Sequence, residues 1–560
     1  MHILQKPKYQ FYFFLLIFFV INVLQSKYTG LLYDEAYYWV WSQKMAFGYF
    51  DHPPMVAVWV KISGLFFENE LGVRFFSIVS FTFMLYIIWL LIDIKEKWNY
   101  VWLYFLLIIS VALFNAYGFI TTPDTPLLFF VTLFLYFYKR FLEDYSLKNT
   151  LLLGFSMAGM LYSKYHGILI IFFILLSNWT LLSNRKFWMA SFFGAVLFIP
   201  HLYWQYLNDF PTFRYHLFER GSDREYEIAN SLMHLVNQIA IVGITFPLIY
   251  YAFIKQKSHS IFDKSLKYIT YGMIGFFLFS SFKLQPQAQW TAVILIPLVI
   301  FSFRQFVENE NQRKWIIKIG MIQLGLLLIV RFLFAFDNIL PIKLEPHIAK
   351  TWVRTLRENT SNKPIVFISS YKNAAIYNFY TKIKTHSYSA LERRKSQYDL
   401  GDFEDRIQGE DIYVVGVERW LKSSPELAIQ NKNPLIGHSL QAYNTFQKVK
   451  CTIDNKILSF KENENITFKF TLQNTYDKII SFENAKFVGV FYHKKNIIKK
   501  VPMEIIDLTA LEPNEKKIFE FTFVSPHFED KEDLSFRMAI QFYELPEGFQ
   551  GNQVNIKLIN

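Results

Sequence analysis

Two adjacent carboxylates, Asp34 and Glu35, lie in the segment LLYDEAYYWVWSQ together with aromatic residues that include Tyr37 and Tyr38. Neighbouring side chains on a turn or helix point in different directions, so one carboxylate can act as a general base while the other orients a partner. The rings beside them can stack on a sugar. An aromatic belt at a membrane surface, with two solvated carboxylates, explains the same composition. The segment allows either interpretation.

Two further acidic motifs contain prolines, which restrict the backbone around them. In GYFDHPP, two prolines follow His52 and hold it in a defined turn. In TTPDTP, Asp124 lies between two apolar runs, where it is either the N-cap of a helix or a contact to a substrate or acceptor.

Several cations border the apolar runs as well. Lys164 and His166, in YSKYHG, have almost no loop between the runs on either side. A cation this close to hydrocarbon is costly and is usually paired or functional. A phosphate headgroup is a suitable partner, and snorkelling of Lys164 to the membrane surface is the alternative. His216 and Arg220 in FRYHLFER, and Lys283 after another run, extend this set of cations.

The elements that carry these motifs are strongly apolar. The chain has 560 residues, of which 52% are hydrophobic, and most of the apolar excess lies before about Asp337. The runs are apolar all round, as lipid-facing helices must be, whereas a helix of a soluble core keeps a polar face. The sequence therefore predicts an α-helical polytopic membrane protein rather than a large soluble bundle.

Eleven membrane spans are predicted, near residues 10–26, 72–93, 100–115, 127–138, 149–162, 168–183, 187–204, 234–254, 266–281, 291–303 and 315–336. The first resembles a signal peptide, but no small-residue cleavage site follows it, so we interpret it as an uncleaved span. With a cytoplasmic N-terminus, the even-numbered connections hold the basic loops, as the positive-inside rule expects. The odd-numbered connections hold all the motifs above. The motifs and the C-terminal part are thus predicted on the non-cytoplasmic face of the inner membrane.

Charge and cysteine content exclude other classes. The formal net charge is +12, but the basic residues are scattered singly between apolar runs and form no patch with stacking aromatics, so we predict no nucleic-acid partner. The single cysteine, Cys451, excludes an internal disulfide framework and a metal site of several cysteines. No cluster has metal-ligand spacing.

Three domains are predicted. A transmembrane domain covers residues 1–336, a mixed α/β segment on the outer face covers 337–445, and a β-sandwich of immunoglobulin type covers 446–560. The sandwich is predicted because alternation dominates from Val449 onwards, as in ITFKFTLQN, FVGVFYHKK and KKIFEFTFV, with polar turns between these stretches.

The ordered set DEAYYWVWSQ, GYFDHPP, TTPDTP, YSKYHG and FRYHLFER resembles the bacterial membrane glycosyltransferases related to protein O-mannosyltransferases and to the aminoarabinose transferase of lipid A. The similarity continues through YKNAAIYNFYT and RRKSQYDL to about residue 400 and leaves the β-sandwich unexplained. It implies the GT-C fold, here with about eleven membrane helices, an outer-face cavity, a long first outer loop and a lipid-phosphate sugar donor.

The resemblance also implies roles for individual residues. Asp34 matches the first-loop acidic position that serves as general base, and Glu35 lies beside it. His52, Lys164 and Arg220 match positions near the donor phosphate.

Two more cations, His166 and Lys283, complete the predicted donor phosphate-binding set. Many relatives have His where Gln289 stands before Trp290, and a glutamine cannot act as an acid there. The predicted acceptor or sugar contacts are Asp124, Tyr37, Tyr38, Gln289 and Trp290.

The implied reaction moves a sugar from a polyprenyl-phosphate carrier to a hydroxyl of a lipid, protein or glycan acceptor by a single inverting displacement. A monophosphate leaving group held by cations requires no cofactor, although a divalent cation is compatible with it. The competing class is a flippase or transporter of the lipid carrier, which should show polar groups deep inside its spans and access to both faces. A scaffold whose outer sandwich binds envelope glycan is compatible with either class.

Overall fold

The computed structural model describes residues 6–219, 226–337, 339, 344–421, 427–429, 434–505, 508–529 and 531–559. The chain forms two compact units, Met1–Ala349 and Lys350–Asn560. The first unit is built of helices, and all the described strands lie in the second.

The helices that begin in the first unit are α1 Pro7–Tyr28, α2 Tyr33–Gln43, α3 Met55–Ser63, α4 Leu71–Leu91, α5 Val101–Ser110, α6 Ala112–Tyr117, α7 Asp124–Glu143, α8 Leu147–Ser163, α9 Gly167–Ser177, α10 Arg185–Leu207, α11 Pro211–Arg214, α12 Ile228–Val242, α13 Phe246–Lys255, α14 Ile261–Ser280, α15 Leu295–Glu308, α16 Glu310–Ala335 and α17 Glu345–Asn359. Short 3-10 helices cover Lys95–Tyr100, Trp179–Ser183 and Ala288–Ile294, and a π-helical turn covers Tyr215–Glu219.

All eleven predicted spans fall on helical segments. Within the described residues, six helices are long and apolar enough to cross a membrane, and a seventh span results if α12 and α13 are counted together. The predicted number of eleven stays a prediction. The segment Ala288–Glu308 is central, with 89% of its most apolar window buried, whereas α1 and α16 have only 22% buried there. The latter two helices therefore lie at the periphery of the bundle.

One predicted span, 234–254, is broken into α12 and α13, which meet at an angle of 95°. Gly243 lies at the break with a φ of 89°, a conformation that favours glycine. A Cβ there would also meet the side-chain amide of Gln323 at 1.9 Å. Oε1 of Gln323 accepts the freed N–H of Ile244 at 2.8 Å, so the broken backbone stays hydrogen-bonded.

The predicted cytoplasmic connections meet at one end of the bundle. Lys139 pairs with Asp93 at 3.2 Å, and Arg304 pairs with Asp263 at 2.8 Å. Lys139, with smaller contributions from Arg304 and Lys97, holds the pKa of Asp93 below its usual value. Four of the five basic connections thus share one end, as their assignment to one membrane face requires.

The second unit contains α18 Tyr371–Thr381 and the strands β1 Ile365–Ile368, β2 Thr385–Tyr388, β3 Ile412–Gly416, β4 Leu427–Ile429, β5 Leu435–Leu440, β6 Val449–Thr452, β7 Ile457–Phe460, β8 Asn465–Asn474, β9 Ile480–Ser481, β10 Ala485–His493, β11 Asn496–Met503, β12 Ala510–Leu511, β13 Lys516–Val524, β14 Leu534–Phe542 and β15 Gln553–Leu558. The first five strands form one sheet in the order β2-β1-β3-β5-β4. In that sheet β1 pairs in parallel with β2 and β3, and the remaining pairs are antiparallel.

The alternating stretches noted in the sequence are β8, β10 and β13. They belong to two sheets, β11-β10-β14-β15-β7 and β13-β8-β6, and a short β12-β9 pair accompanies them. The inner faces of the two sheets meet through aromatic side chains, as in the contact of Phe468 with Phe536 at 5.4 Å between ring centroids. Alternation produces this packing because every second side chain of a strand points to the same face.

The α/β segment and the two sheets share one hydrophobic core, in which Val366 and Val414 join Phe446 and Phe536. The predicted domain division between residues 445 and 446 therefore falls inside a single compact unit.

A buried polar link crosses this junction. The carboxylate of Glu404 accepts hydrogen bonds from the hydroxyls of Thr445, at 2.6 Å, and Tyr476. Burial raises the pKa of Glu404 to about 7, although both hydroxyls and the nearby Lys448 oppose that shift.

Candidate active site

Glu35 anchors the first outer connection. It is fully buried at the start of α2, and its Oε1 accepts hydrogen bonds from Nε of Arg74 at 2.8 Å and from the N–H of Thr121 at 2.9 Å. Its Oε2 accepts from the N–H of Leu32 at 3.0 Å and from Nη2 of Arg74. Four charge-assisted bonds occupy the carboxylate, which favours a positioning role for Glu35.

Arg74 extends this anchor to the end of α1. Its Nη1 donates to the carbonyl of Thr29 at 2.7 Å, and its Nη2 donates to the carbonyl of Gly30 at 2.9 Å. The sequence analysis did not single out Arg74. It is a lone charge in the apolar run LGVRFFSIVSF, and the rule that an ionisable residue inside a span has a partner or a function would have found it.

Asp34 lies beside the anchor, in the first turn of α2, and is partly exposed where Glu35 is buried. Adjacent positions on a helix point about 100° apart, so the two carboxylates face different surroundings. The positive end of the helix dipole favours a negative charge in this turn. Of the two carboxylates, Asp34 is therefore the one that is accessible at the surface.

The TTPDTP and YSKYHG motifs meet in a buried ion pair. Nζ of Lys164 donates to Oδ1 of Asp124 at 2.8 Å, and the two side chains are 8% and 6% exposed. The hydroxyl of Tyr117 lies 3.4 Å from the other carboxylate oxygen. The sequence analysis assigned Lys164 to the donor phosphate and Asp124 to the acceptor, whereas the structure makes them partners. Lys164 keeps two further N–H donors beyond the one that Asp124 accepts.

The first outer loop docks on the end of α10 through His201. Nδ1 of this fully buried ring lies 2.6 Å from the carbonyl of Phe47, and Nε2 lies 2.8 Å from the hydroxyl of Tyr165 in YSKYHG. A neutral imidazole with its proton on Nδ1 satisfies both contacts, because it donates to the carbonyl and accepts from the hydroxyl. The ring therefore joins two predicted motifs and was missed by the sequence analysis.

A second bridge fixes the same loop. Nε2 of Gln205 donates to Oγ1 of Thr212 at 2.6 Å, and that hydroxyl donates to the carbonyl of Tyr49 at 2.8 Å. Gly48 lies directly against the ring of Trp204, where a Cβ would be 2.2 Å from a ring carbon. The approach of loop and helix thus depends on glycine at this position.

His52 meets the loop that follows α10. Its ring centroid lies 5.9 Å from that of His216, and Nε2 of His216 lies 2.9 Å from the carbonyl of Asp51. Two imidazoles from separate predicted motifs are thereby brought together. Arg220, the third predicted cation of this region, lies outside the described residues.

His166 and Trp290 form a separate aromatic contact. The His166 ring lies 5.5 Å from Trp290 and 5.1 Å from Phe277, centroid to centroid. Gln289 donates to the side-chain oxygen of Gln287 at 2.8 Å, and Lys283 is exposed. YSKYHG and LQPQAQW are therefore neighbours.

Tyr37 and Tyr38 are buried against Trp41, at centroid distances of 5.0 and 5.1 Å. Trp41 in turn stacks on Tyr49 at 4.7 Å. These contacts give both tyrosines a packing role within the first outer loop, and their predicted contact with a sugar stays a prediction.

The contacts above join every predicted motif of the outer connections into one continuous region. The path runs from the Glu35 anchor through Thr121 to Asp124 and Lys164, and from Tyr165 through His201 to the loop with His52. In the part of the chain that the structure describes, no group of three or more His, Cys, Asp or Glu side chains could hold a metal ion. The region thus combines a reachable carboxylate with a set of cations.

Part of this region lies in a segment that is similar to known proteins. The family model described as dolichyl-phosphate-mannose-protein mannosyltransferase matches residues 51–204, which include His52, Asp124, Lys164 and His166. The crystal structure of ArnT from Cupriavidus metallidurans in the apo state superposes with a TM-score of 0.53 at 12% identity, covering 76% of this chain and 97% of ArnT. The fold of the GT-C membrane glycosyltransferases is therefore present.

A curated relative agrees with this class. Lipid A galacturonosyltransferase RgtD of Rhizobium johnstonii is 26% identical over 241 residues, which are 40% of this chain and 48% of that protein. The match thus spans about half the length of this relative. A second structure of the same ArnT, bound to undecaprenyl phosphate, gives a TM-score of 0.49 at 13% identity. The family resemblance drawn from the sequence motifs is confirmed: the chain is similar in sequence to these glycosyltransferases and shares the GT-C fold.

Proposed function

We propose that this protein transfers a sugar from a polyprenyl-phosphate donor to a hydroxyl of a lipid, protein or glycan acceptor. The reaction takes place at the non-cytoplasmic face of the inner membrane and inverts the anomeric carbon in a single displacement. The observation that carries the proposal is the continuous region in which a reachable carboxylate, Asp34, shares one end of the bundle with Lys164 and the His52–His216 pair.

Asp34 is the general base in this scheme. It takes the proton of the acceptor hydroxyl while that oxygen attacks the anomeric carbon of the donor sugar. The Glu35–Arg74 ion pair and the bond to Thr121 hold the start of α2, so the base keeps its position. Such fixed geometry is what makes a general base effective.

The leaving group is the carrier phosphate. The bond between the anomeric carbon and the phosphate oxygen breaks as the new glycosidic bond forms, and negative charge grows on that oxygen. Lys164 offers its remaining donors to it, and Asp124 holds the ammonium in place at 2.8 Å. Because Asp124 already neutralises Lys164, further positive charge is needed, and His52, Arg220 and Lys283 supply it in this proposal. No metal ion is needed for this charge balance.

The donor class is supported by the matched family, whose description names a dolichyl-phosphate sugar, a polyprenyl-phosphate compound. RgtD, by its name, acts on lipid A. The acceptor is left at the level of a hydroxyl group, since protein and lipid acceptors are both found among these relatives by their names.

The test is transfer by purified protein from a labelled polyprenyl-phosphate sugar to a membrane extract. Asp34→Asn keeps the size of the side chain and removes its basicity, so transfer should fall about 10²- to 10⁴-fold while donor binding is retained. Loss of both donor binding and transfer would instead assign Asp34 to substrate binding.

Glu68→Gln is the matched control, since Glu68 is an exposed carboxylate in the connection before α4, at the same end of the bundle. It should transfer at the wild-type rate. Transfer by Asp34→Asn at the rate of this control would remove Asp34 from the base role.

A further inference from the structure

Another buried cation of the membrane unit, Arg331, lies near the end of α16. Its Nε donates to Oδ1 of Asn115 at 2.6 Å, and its Nη2 donates to Oδ1 of Asn22 at 2.8 Å and to the carbonyl of Asn115 at 2.7 Å. The guanidinium also lies 4.9 Å from the centroid of the Phe119 ring. All of these partners are uncharged.

Three donors at this place are left over. Nη1 of Arg331, Nδ2 of Asn22 and Oγ of Ser26 have no hydrogen-bond partner within the described part of the chain. The three side chains are at most 7% exposed, and Asn22 and Ser26 lie one turn apart on the same face of α1. Buried polar groups are ordinarily paired, and a buried cation ordinarily has an anion beside it. Among the described residues, the cluster therefore combines a positive charge without an anionic partner with spare hydrogen-bond donors.

The length of α16 puts this cluster near the edge of the hydrocarbon core of a membrane. The 26 residues of α16 span about 39 Å, some 9 Å more than the hydrocarbon core of roughly 30 Å. Arg331 lies four residues, about 6 Å, before the helix end at Ala335, close to the edge of that core. Lipid chains have access from both sides, because Leu24 of α1 and Val330 of α16 are about half exposed, at 49% and 46%.

We propose that Arg331, Asn22 and Ser26 form a lateral binding site for the phosphate group of a membrane lipid, between α1 and α16 and apart from the site of sugar transfer. The phosphate supplies the missing negative charge to Arg331 and accepts from the amide of Asn22 and the hydroxyl of Ser26. Its acyl or prenyl chains lie along the exposed faces of the two peripheral helices.

The site also touches the anchor of the first outer loop. Gln25, between Asn22 and Ser26 on α1, donates to the carbonyl of Arg331 at 3.0 Å and to the hydroxyl of Thr29 at 2.8 Å. The carbonyl of Thr29 accepts from Arg74. A lipid bound here would thus stabilise the end of α1 that leads into α2.

Native mass spectrometry of the full-length protein in detergent tests the site, with phosphatidylglycerol, phosphatidylcholine and polyprenyl phosphate added separately. Wild-type protein should retain one tightly bound anionic lipid. Arg331→Gln should bind that lipid at least about tenfold more weakly, which is the effect expected from losing one charge-assisted hydrogen bond. Lys27→Gln is the control, because it removes an exposed positive charge from the same end of α1.

Ser26→Ala keeps the test decisive if Arg331→Gln fails to fold. Its hydroxyl has no hydrogen-bond partner among the described residues, so removing it should leave thermal stability unchanged and still weaken lipid retention several-fold. Selective loss of phosphatidylglycerol assigns the site to bulk lipid, and selective loss of polyprenyl phosphate assigns it to the carrier. Unchanged retention in the Arg331 and Ser26 variants, or an equal loss in Lys27→Gln, overturns the proposal.

Discussion

Glu35 and Asp34 should respond to the loss of charge in opposite ways, although they are neighbours in the sequence. Glu35→Gln removes the negative partner of a fully buried guanidinium. The Gln amide would also point N–H groups at Arg74 or at the backbone N–H of Leu32 or Thr121, all of which are donors. The variant should therefore lose stability first and activity only as a consequence.

The magnitude follows from this geometry. Breaking a buried ion pair by removing one partner costs about 3–5 kcal/mol, because the remaining charge is left uncompensated. The cost should shrink when the remaining charge is removed as well. In a double-mutant cycle, Glu35→Gln combined with Arg74→Met should give a coupling energy of about 1–3 kcal/mol in favour of the double variant.

Thermal unfolding of the purified protein in detergent, followed by intrinsic fluorescence, measures this stability. The rate of sugar transfer is measured on the same samples well below the unfolding temperature. If Glu35→Gln unfolded like the wild type but lost about 10²- to 10⁴-fold in rate, Glu35 itself would be the base. That pattern would refute the division of roles between the two carboxylates.

Three more predictions concern other parts of the molecule. Lys164→Ala should weaken use of the polyprenyl-phosphate donor about ten- to a hundredfold, and donor kinetics equal to those of the wild type would remove Lys164 from the site. The double variant Lys164→Ala with Asp124→Asn should be more stable than Lys164→Ala alone, because no unpaired carboxylate remains. Because the pKa of Glu404 is raised from 4.5 to about 7, its contribution to stability is present below about pH 4.5 and is lost, on the order of 3 kcal/mol, as pH rises through 7. The protection of the β8 amides against hydrogen exchange, relative to their intrinsic rates, should accordingly fall over that range in the wild type and stay flatter in Glu404→Gln. Identical protection profiles would contradict the raised pKa of Glu404. A reporter fused after residue 560 should report a non-cytoplasmic location, and a cytoplasmic signal would show that the number of spans is even.

The secondary structure could be predicted from local sequence patterns because each pattern reflects a physical requirement on its own segment. Runs that are apolar all round must be helical in lipid, where every backbone group needs a partner within its own segment. Alternation in ITFKFTLQN produced β8 because one face of a sheet is buried and the other is not. The break at Gly243 was not predicted, since it depends on Gln323 of another helix accepting the freed N–H.

Sequence alone also determined which residues could do chemistry. Carboxylates and cations at the ends of apolar runs are expensive, and the topology rule assigned them to one face before any contact was known. Residues inside the apolar runs were missed. His201 is one of them, because an isolated histidine in an apolar run does not reveal that it bridges Phe47 and Tyr165.

Only the tertiary structure decided which charges meet. Lys164 and Asp124 are 40 residues apart and Glu35 and Arg74 are 39 apart, and each pair forms across different helices. Periodicity fixes which face of a helix is polar, but the rotation and height of one helix against another depend on the packing of all their side chains. The rotation and height of the helices bring Lys164 and Asp124 together as a buried ion pair. They also bury Glu35 as the anchor and leave Asp34 partly exposed.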